Sequence, residues 1–265
     1  MKKLVEKGIV AYFDILGYQN FLINNNINDC IDKIEGILVK LPVEIETDFF
    51  HLKDNSSIKA EEYYEYKKKL VDIRKDLINH LNTLFISDTI IFFFDIANIK
   101  NNIPFCLQQM LVYLIIFMKL SFENGFPMRG FVDYGEYYFN NDVNINIIAG
   151  KTIVKCHQET SAFDFSGLVI DDSVRKYCMN FNYDILNLLF DKKVIADYLV
   201  NLKNKEDHKY VCNFIIDGIN ENLDQYIFNS FHKHNKEISN EVMKKINNTE
   251  NIMKHFLYNN NNISL

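Results

Sequence analysis

Leu84 to Asp95 reads LFISDTIIFFFD, a dense run of β-branched and aromatic residues interrupted once, by Ser87-Asp88. A polar pair between two apolar runs is a hairpin signal, so two antiparallel strands are expected with Ser87 and Asp88 at the apex. Upstream, Gly8 to Asp14 (GIVAYFD) is a short apolar strand ending on a carboxylate. Gly17 follows, then an amphipathic segment from about Tyr18 to Lys40 that stops near Pro42. Downstream, Pro104 suits the first turn of a helix with apolar positions from Phe105 to Phe122. Gly125-Phe126-Pro127 ends that helix, and Met128 to Phe139 (MRGFVDYGEYYF) is strand-like. The order strand, helix, hairpin, helix, strand is the βαββαβ arrangement of a ferredoxin-like sheet. The expected fold class is therefore α/β in the α+β sense.

Further along, Asn140-Asn141-Asp142 is a turn before a strand over Val143 to Ile148, and Gly150 opens a helix (GKTIVKCHQETSAF). Gly167 to Ile170 is the next strand. Beyond Asp171 the pattern predicts a helix around Ser173 to Phe181, a strand pair near Ile185 to Phe190 and Val194 to Leu199, and polar helices to the end. Glu44 to Lys75 is charged and Tyr-rich, and it is strongly helical around Ala60 to Leu81. It reads as a solvated helical excursion whose Lys/Glu run is a wet face. These readings place a main unit in residues 1–175, with a helical insertion at about 44–80, and a C-terminal extension, 176–265, packing on the same domain.

The 265 residues carry 29 Lys+Arg against 35 Asp+Glu, a formal net charge of −6, which argues against a protein that coats nucleic acid. With 48% hydrophobic residues the chain has enough apolar surface for a core, which excludes wholesale disorder. The longest apolar run, Met110 to Met118, is too short to span a bilayer, and the start lacks the apolar stretch of a signal peptide. The five cysteines are scattered and contain no CxxC pair, so neither a disulfide framework nor a thiolate zinc site is expected. A cytoplasmic protein with no membrane partner follows.

Two acids stand out by position. Asp14 lies at the carboxyl end of the first strand and Asp88 at the hairpin apex. In a βαββαβ sheet the first and third strands are neighbours, so the two carboxylates meet at one end and repel unless a cation sits between them. Hard oxygen donors there suit Mg²⁺ or Mn²⁺. The plainer alternative makes Asp14 a helix cap and Asp88 an ordinary turn residue.

Phe13-Asp14-Ile15-Leu16-Gly17-Tyr18 resembles the first metal motif of class III nucleotide cyclases, and Ser87-Asp88 stands where that family carries its second metal aspartate. Met128-Arg129-Gly130-Phe131 with Gly135 resembles the strand whose arginine approaches the triphosphate. Gly150-Lys151-Thr152-Ile153-Val154 resembles the start of the active-site helix. The order of motifs over roughly residues 8 to 175 is most similar to the compact pyrimidine cyclases of the Pycsar anti-phage system. The resemblance implies a cyclase, or palm-type, sheet and a homodimer with its sites at the interface. It further implies a nucleoside triphosphate substrate, UTP before CTP, two Mg²⁺ or Mn²⁺ ions, and a downstream effector activated by the cyclic nucleotide. It implies Asp14, Asp88 and the Ile15 carbonyl as metal ligands, Arg129 as a phosphate clamp, and Gly17, Tyr18, Ser87 and Gln158 as substrate contacts. Where purine cyclases of this family read the base, the chain has Leu84 and Ile147, and the catalytic Asn and Arg of the helix fall on Val154 and Gln158. These departures speak against a purine substrate and fit a pyrimidine cyclase or a degenerate enzyme; the rival readings are a purine cyclase or polymerase relative on the same palm-like sheet, and a nucleotide-binding sensor.

Other signals carry less. A pairing of Arg129 with Asp133, two positions along the same strand face, competes with the clamp. Lys151 and Lys155 read as a solvated helix face, with phosphate contact as the alternative. A P-loop is excluded because its first glycine would fall on Ile145. His232 and His234 diverge on a helix, so no metal site is expected there. His157 reads as structural, and the Phe92 to Phe94 and Tyr137 to Phe139 runs as core or dimer surface. Tyr12, Tyr18 and Phe85 lie close enough to the acids to stack on a small base.

Overall fold

A computed structural model of the chain describes residues 6–42, 45, 60–96, 99, 103–142, 145–181, 184–215 and 222–260. The first strand, β1 (Glu6–Ile15), leads into α1 (Tyr18–Asn24) and α2 (Ile27–Lys33), which continues as a π-helical stretch over Ile34–Val39. Then come α3 (Ala60–Asn79), the hairpin β2 (Leu81–Ile86) and β3 (Thr89–Phe94), α4 (Ile103–Glu123), and a second hairpin, β4 (Met128–Asp142) with β5 (Ile145–Ala149). The chain continues through α5 (Lys151–Ala162), β6 (Gly167–Ile170), α6 (Asp172–Met179), α7 (Ile185–Asp191), β7 (Ile195–Asn201), β8 (Glu206–Cys212), α8 (Leu223–His232) and α9 (Asn240–Asn260).

The strands form one sheet in the order β2-β3-β1-β4-β6-β8-β7, with β5 paired to β4. Its first four strands stand in the ferredoxin-like order, β1 flanked antiparallel by β3 and β4. The β4–β6 pair is parallel, so the chain must cross over between them, and α5 makes that crossing.

Period-two alternation in β1 sorts its side chains into two cores. Ile9, Ala11, Phe13 and Ile15 enter one cluster, and Val10 and Tyr12 the other. The larger core is filled by α4, which is apolar on nearly every side because it is buried on nearly every side. By length and composition it could cross a membrane, but here Cys106 to Phe122 supply its buried residues. Phe117 packs edge-on against Phe13 and Phe92, at ring separations of 5.3 and 5.0 Å. Each such ring contributes about 1.5–3 kcal/mol by leaving water. A Schellman turn closes α4: the Phe126 N–H reaches the Ser121 carbonyl at 2.8 Å and the Gly125 N–H the Phe122 carbonyl at 2.9 Å. On the other face α5 packs on β4 and β1, and Ile252 and Phe256 of α9 close the smaller core.

Three sequence expectations are corrected. Ile185–Asp191 is a helix, because the Asp184 side chain caps it by accepting from the Asn187 N–H at 3.2 Å. The strand pair is instead β7 with β8, and β8 lies where only polar helices were expected. The α3 helix is no purely solvated excursion, since Ile73, Arg74 and Leu77 are buried and the Arg74 Nε donates to Gln109 Oε1 at 3.0 Å on α4. Glu44 and residues 46–59 of the expected insertion, and Val143 and Asn144 of the expected strand, lie outside the described residues.

Candidate active site

The end of β1 carries the site. Register pairs Asp14 with Thr89 of β3 on one side and with Arg129 of β4 on the other. Ser87 and Asp88 form a two-residue turn between β2 and β3, Ser87 adopting a φ of 55°. The Ile15 N–H donates to the Asp88 carbonyl at 2.8 Å, which stitches the hairpin tip to the end of β1. The two acids are therefore neighbours at one end of the sheet.

Their electrostatics agree. Burial pushes the Tyr12 phenol above its ordinary pKa, its hydrogen bond with Thr89 draws it back, and the charges of both Asp14 and Asp88 push it up further. Both carboxylates therefore act on one ring. Tyr18 is raised in the same way, by burial first and then by Asp88. The Asp88 side chain is half-buried and has no hydrogen-bond or ion-pair partner among the described residues.

Asp14 is differently placed. Its Oδ2 accepts from Arg129 Nε at 3.0 Å and from Arg129 Nη2. The same guanidinium donates through Nη1 to the carbonyls of Ser161 and Phe163, at 3.3 and 3.2 Å, where α5 ends. Arg129 does not pair with Asp133, which is held instead by Lys155 at 2.9 Å and by the Ser173 hydroxyl at 2.5 Å. Lys155, its side chain 42% exposed, bridges Asp133 and Asp171.

The remaining candidates fall around this centre. The Ile15 side chain is buried in the larger core. Gly17 takes a φ of 75° to turn the chain into α1, a conformation glycine adopts without steric cost, and no side chain caps that helix; Asp14 is not its cap. Ser87 is exposed at the hairpin tip. Gln158 and Val154 lie on the outward face of α5, and their neighbour His157 meets the edge of the Tyr12 ring, centroids 5.8 Å apart. Stacking a base on Tyr12, Tyr18 or Phe85 finds little support. The first two rings are 7% and 8% exposed, and Phe85 packs on the larger core, across the sheet from Tyr12.

The donor set fits a hard divalent cation. Among the described residues no group of three or more His, Cys, Asp or Glu converges. Mg²⁺, however, is commonly held by one or two carboxylates, with substrate phosphates completing its shell. Asp88 and the Oδ1 of Asp14 supply such oxygens.

The connection between α8 and α9 was invisible in the sequence. Residues 233–237 strap the turn after α4 to α1. Lys233 Nζ, His234 Nε2 and Lys236 Nζ bind the carbonyls of Glu123, Asn124 and Gly125 at 3.1, 2.8 and 2.8 Å. From the other side, Asn24 and Asn25 donate to the carbonyls of Asn235 and His234 at 3.0 and 2.7 Å. Lys236 borders a cavity of about 170 Å³ shared with Leu16, Gly17 and Lys245. His234 and Asn235 both adopt positive φ, and the asparagine was the one local signal for such a turn.

No protein-family model matches the chain, and no curated protein does. Among solved structures it is similar to the guanylate cyclase domain of RhGC from Catenaria anguillulae in complex with GTP. That match has 14% identity over 79% of this chain and 98% of that one, with a TM-score of 0.46. A bacterial light-regulated adenylyl cyclase matches at 8% identity over 97% of this chain and 59% of that one, with a TM-score of 0.48. The adenylyl cyclase CyaB from P. aeruginosa matches at 14% identity over 80% and 96%, with a TM-score of 0.42. Likeness of this extent carries no argument about activity; the α/β assignment stands on the strand order itself.

Proposed function

We propose that the chain is a nucleotide cyclase, with residues 1–175 as its catalytic unit, converting UTP, or secondarily CTP, to the 3′,5′-cyclic monophosphate and pyrophosphate. The observation that carries the reading is the meeting of Asp14 and Asp88, joined through the Ile15 N–H and the Asp88 carbonyl. In the reaction the ribose 3′ oxygen bonds to the α-phosphorus and the α–β phosphoanhydride bond breaks. Pyrophosphate leaves, and the 3′ proton passes to solvent. Asp14 and Asp88 would hold Mg²⁺ or Mn²⁺, with the Ile15 carbonyl as a further oxygen donor. When bound, the metal acidifies the 3′ hydroxyl and offsets charge on the leaving group. The chain's own contribution is placement: the end of β1 and the hairpin tip, tied through the Ile15 N–H, hold the acids beside each other, and the Gly17 turn lets backbone approach the triphosphate.

The base preference rests on Leu84 and Ile147, side chains that offer a purine edge no hydrogen bond. A homodimer is supported by Ile86, Ile147 and Val154, which are 54%, 37% and 56% exposed and flank the hairpin tip, β5 and α5. The product would serve as a second messenger in anti-phage defence, read by a separate effector. The exposed Val154 favours a second reading, a nucleotide-binding sensor without turnover, because it offers no donor to a transition state.

Incubating the protein with each nucleoside triphosphate and Mn²⁺ separates these readings. Cyclic product and pyrophosphate are expected from UTP or CTP. Asp14→Ala and Asp88→Ala are each expected to lose more than the roughly 10–100-fold that removing an outer partner of a metal costs. Product from ATP or GTP alone overturns the base assignment, and no turnover with any of the four favours the sensor.

A further inference from the structure

Arg129 stands at the start of β4, directly across from Asp14, with its side chain only 12% exposed. A guanidinium has five N–H donors in a fixed plane. Here Nε and one Nη2 hydrogen go to Asp14 Oδ2, and the two Nη1 hydrogens go to the Ser161 and Phe163 carbonyls. One donor remains. The carbonyls belong to the end of α5, where unpaired C=O groups concentrate negative partial charge. The cation therefore neutralises a carboxylate and a helix terminus together. Its strand neighbour Asp133 is already claimed by Lys155 and Ser173, so Asp133 does not compete for it.

We propose that Arg129 is a positioning residue: it fixes the Asp14 carboxylate through Oδ2 and leaves Oδ1, with Asp88, for the divalent ion, and it is not a ligand of the substrate phosphates. The proposal rests on the two-acid reading above and revises the clamp expected from the sequence. A clamp needs its paired donors facing outward, whereas this fork is turned onto the protein. The arrangement also ties the end of the active-site helix to the metal-bearing strand, so a shift of α5 moves the Asp14 carboxylate with it.

The test is Arg129→Lys, which keeps the positive charge beside Asp14 but loses the planar fork. Mn²⁺ affinity is measured without nucleotide, by electron paramagnetic resonance of the free ion, and the KM for the triphosphate is measured at saturating Mn²⁺. The expected result is Mn²⁺ affinity about 10–100-fold weaker, the cost typical of losing an outer partner of a metal ligand, with KM within about twofold of the parent. Mn²⁺ affinity unchanged while KM rises about tenfold or more would make Arg129 a phosphate ligand and overturn the proposal. Should Arg129→Lys fail to fold, as judged by circular dichroism, Arg129→Ala with added guanidinium replaces it. Recovery of Mn²⁺ binding with guanidinium supports positioning, and no recovery in the folded variant counts against it. The underlying reading has its own control. If the parent binds no Mn²⁺, or if binding survives Asp14→Ala and Asp88→Ala, the acid pair itself fails and the proposal falls with it. If only the Arg129 variants behave as parent, the acid pair stands and positioning alone is lost.

Discussion

Lys236 gives the sharpest stability prediction. It is 4% exposed, it donates to the carbonyls of Gly125 at 2.8 Å and Ser230 at 3.3 Å, and among the described residues no ion pair to a carboxylate offsets its charge. Burial pushes its ammonium down to about 7, and the nearby Lys233 charge acts in the same direction. The folded pKa lies below the unfolded value, so the unfolded chain binds more protons between about pH 7 and 10.4, and stability rises with pH through that window. At 1.36 kcal/mol per unit, the charge costs the fold roughly 4 kcal/mol at pH 7, where the folded amine is half protonated, and almost nothing above 10.5. Lys236→Met removes that cost but deprives two carbonyls of a donor, a loss of about 1–3 kcal/mol in total, since water in the adjoining cavity recovers part of it. The variant is therefore about 1–3 kcal/mol more stable than the parent at pH 7 and about 1–3 kcal/mol less stable near pH 10.5. Urea unfolding followed by circular dichroism at pH 7, 8, 9 and 10 reads this as two curves that cross. Parallel curves would show that the ammonium is not desolvated in the fold, and the reasoning would be wrong.

Two other predictions concern the scaffold. Phe117→Ala empties a site between Phe13 and Phe92 at the centre of the larger core and is expected to cost about 3–5 kcal/mol by chemical denaturation. Gly125→Ala forces a side chain into a φ of 84° and brings its Cβ within 2.6 Å of the Lys233 side chain; a loss of about 1–2 kcal/mol is expected, with faster amide exchange at the end of α4.

The parts of the molecule legible in the sequence are those where one local signal decides. Ser87-Asp88 interrupts an apolar run too abruptly to be anything but a turn, and the α4 helix is bounded by Pro104 and Gly125. Once the hairpin and its flanking elements are known, sheet order follows, and with it the meeting of Asp14 and Asp88. The apolar run of α7 was misleading because so short an apolar segment has no period to read. The deciding contact was the Asp184 cap, which also holds Arg175 at 2.8 Å. The ion-pair alternative for Arg129 named the wrong acid for a related reason. Along the strand, Asp133 was the nearest acid, but register across the sheet sets Asp14 opposite. The strap formed by residues 233–237 had no local signature beyond Asn235, since its hydrogen bonds reach segments more than a hundred positions earlier.

That strap has a consequence for how the protein is born. The Asn20 side chain accepts from the Glu237 N–H at 2.6 Å, and Asn24 and Asn25 wait for the carbonyls of residues 235 and 234. At about 5–20 residues per second of translation, a ribosome needs on the order of 10–40 seconds between making the two halves of this clasp. Until then the turn that follows Asp14 lacks its outer support, so a nascent or prematurely released chain would carry both acids in an unbraced end of the sheet.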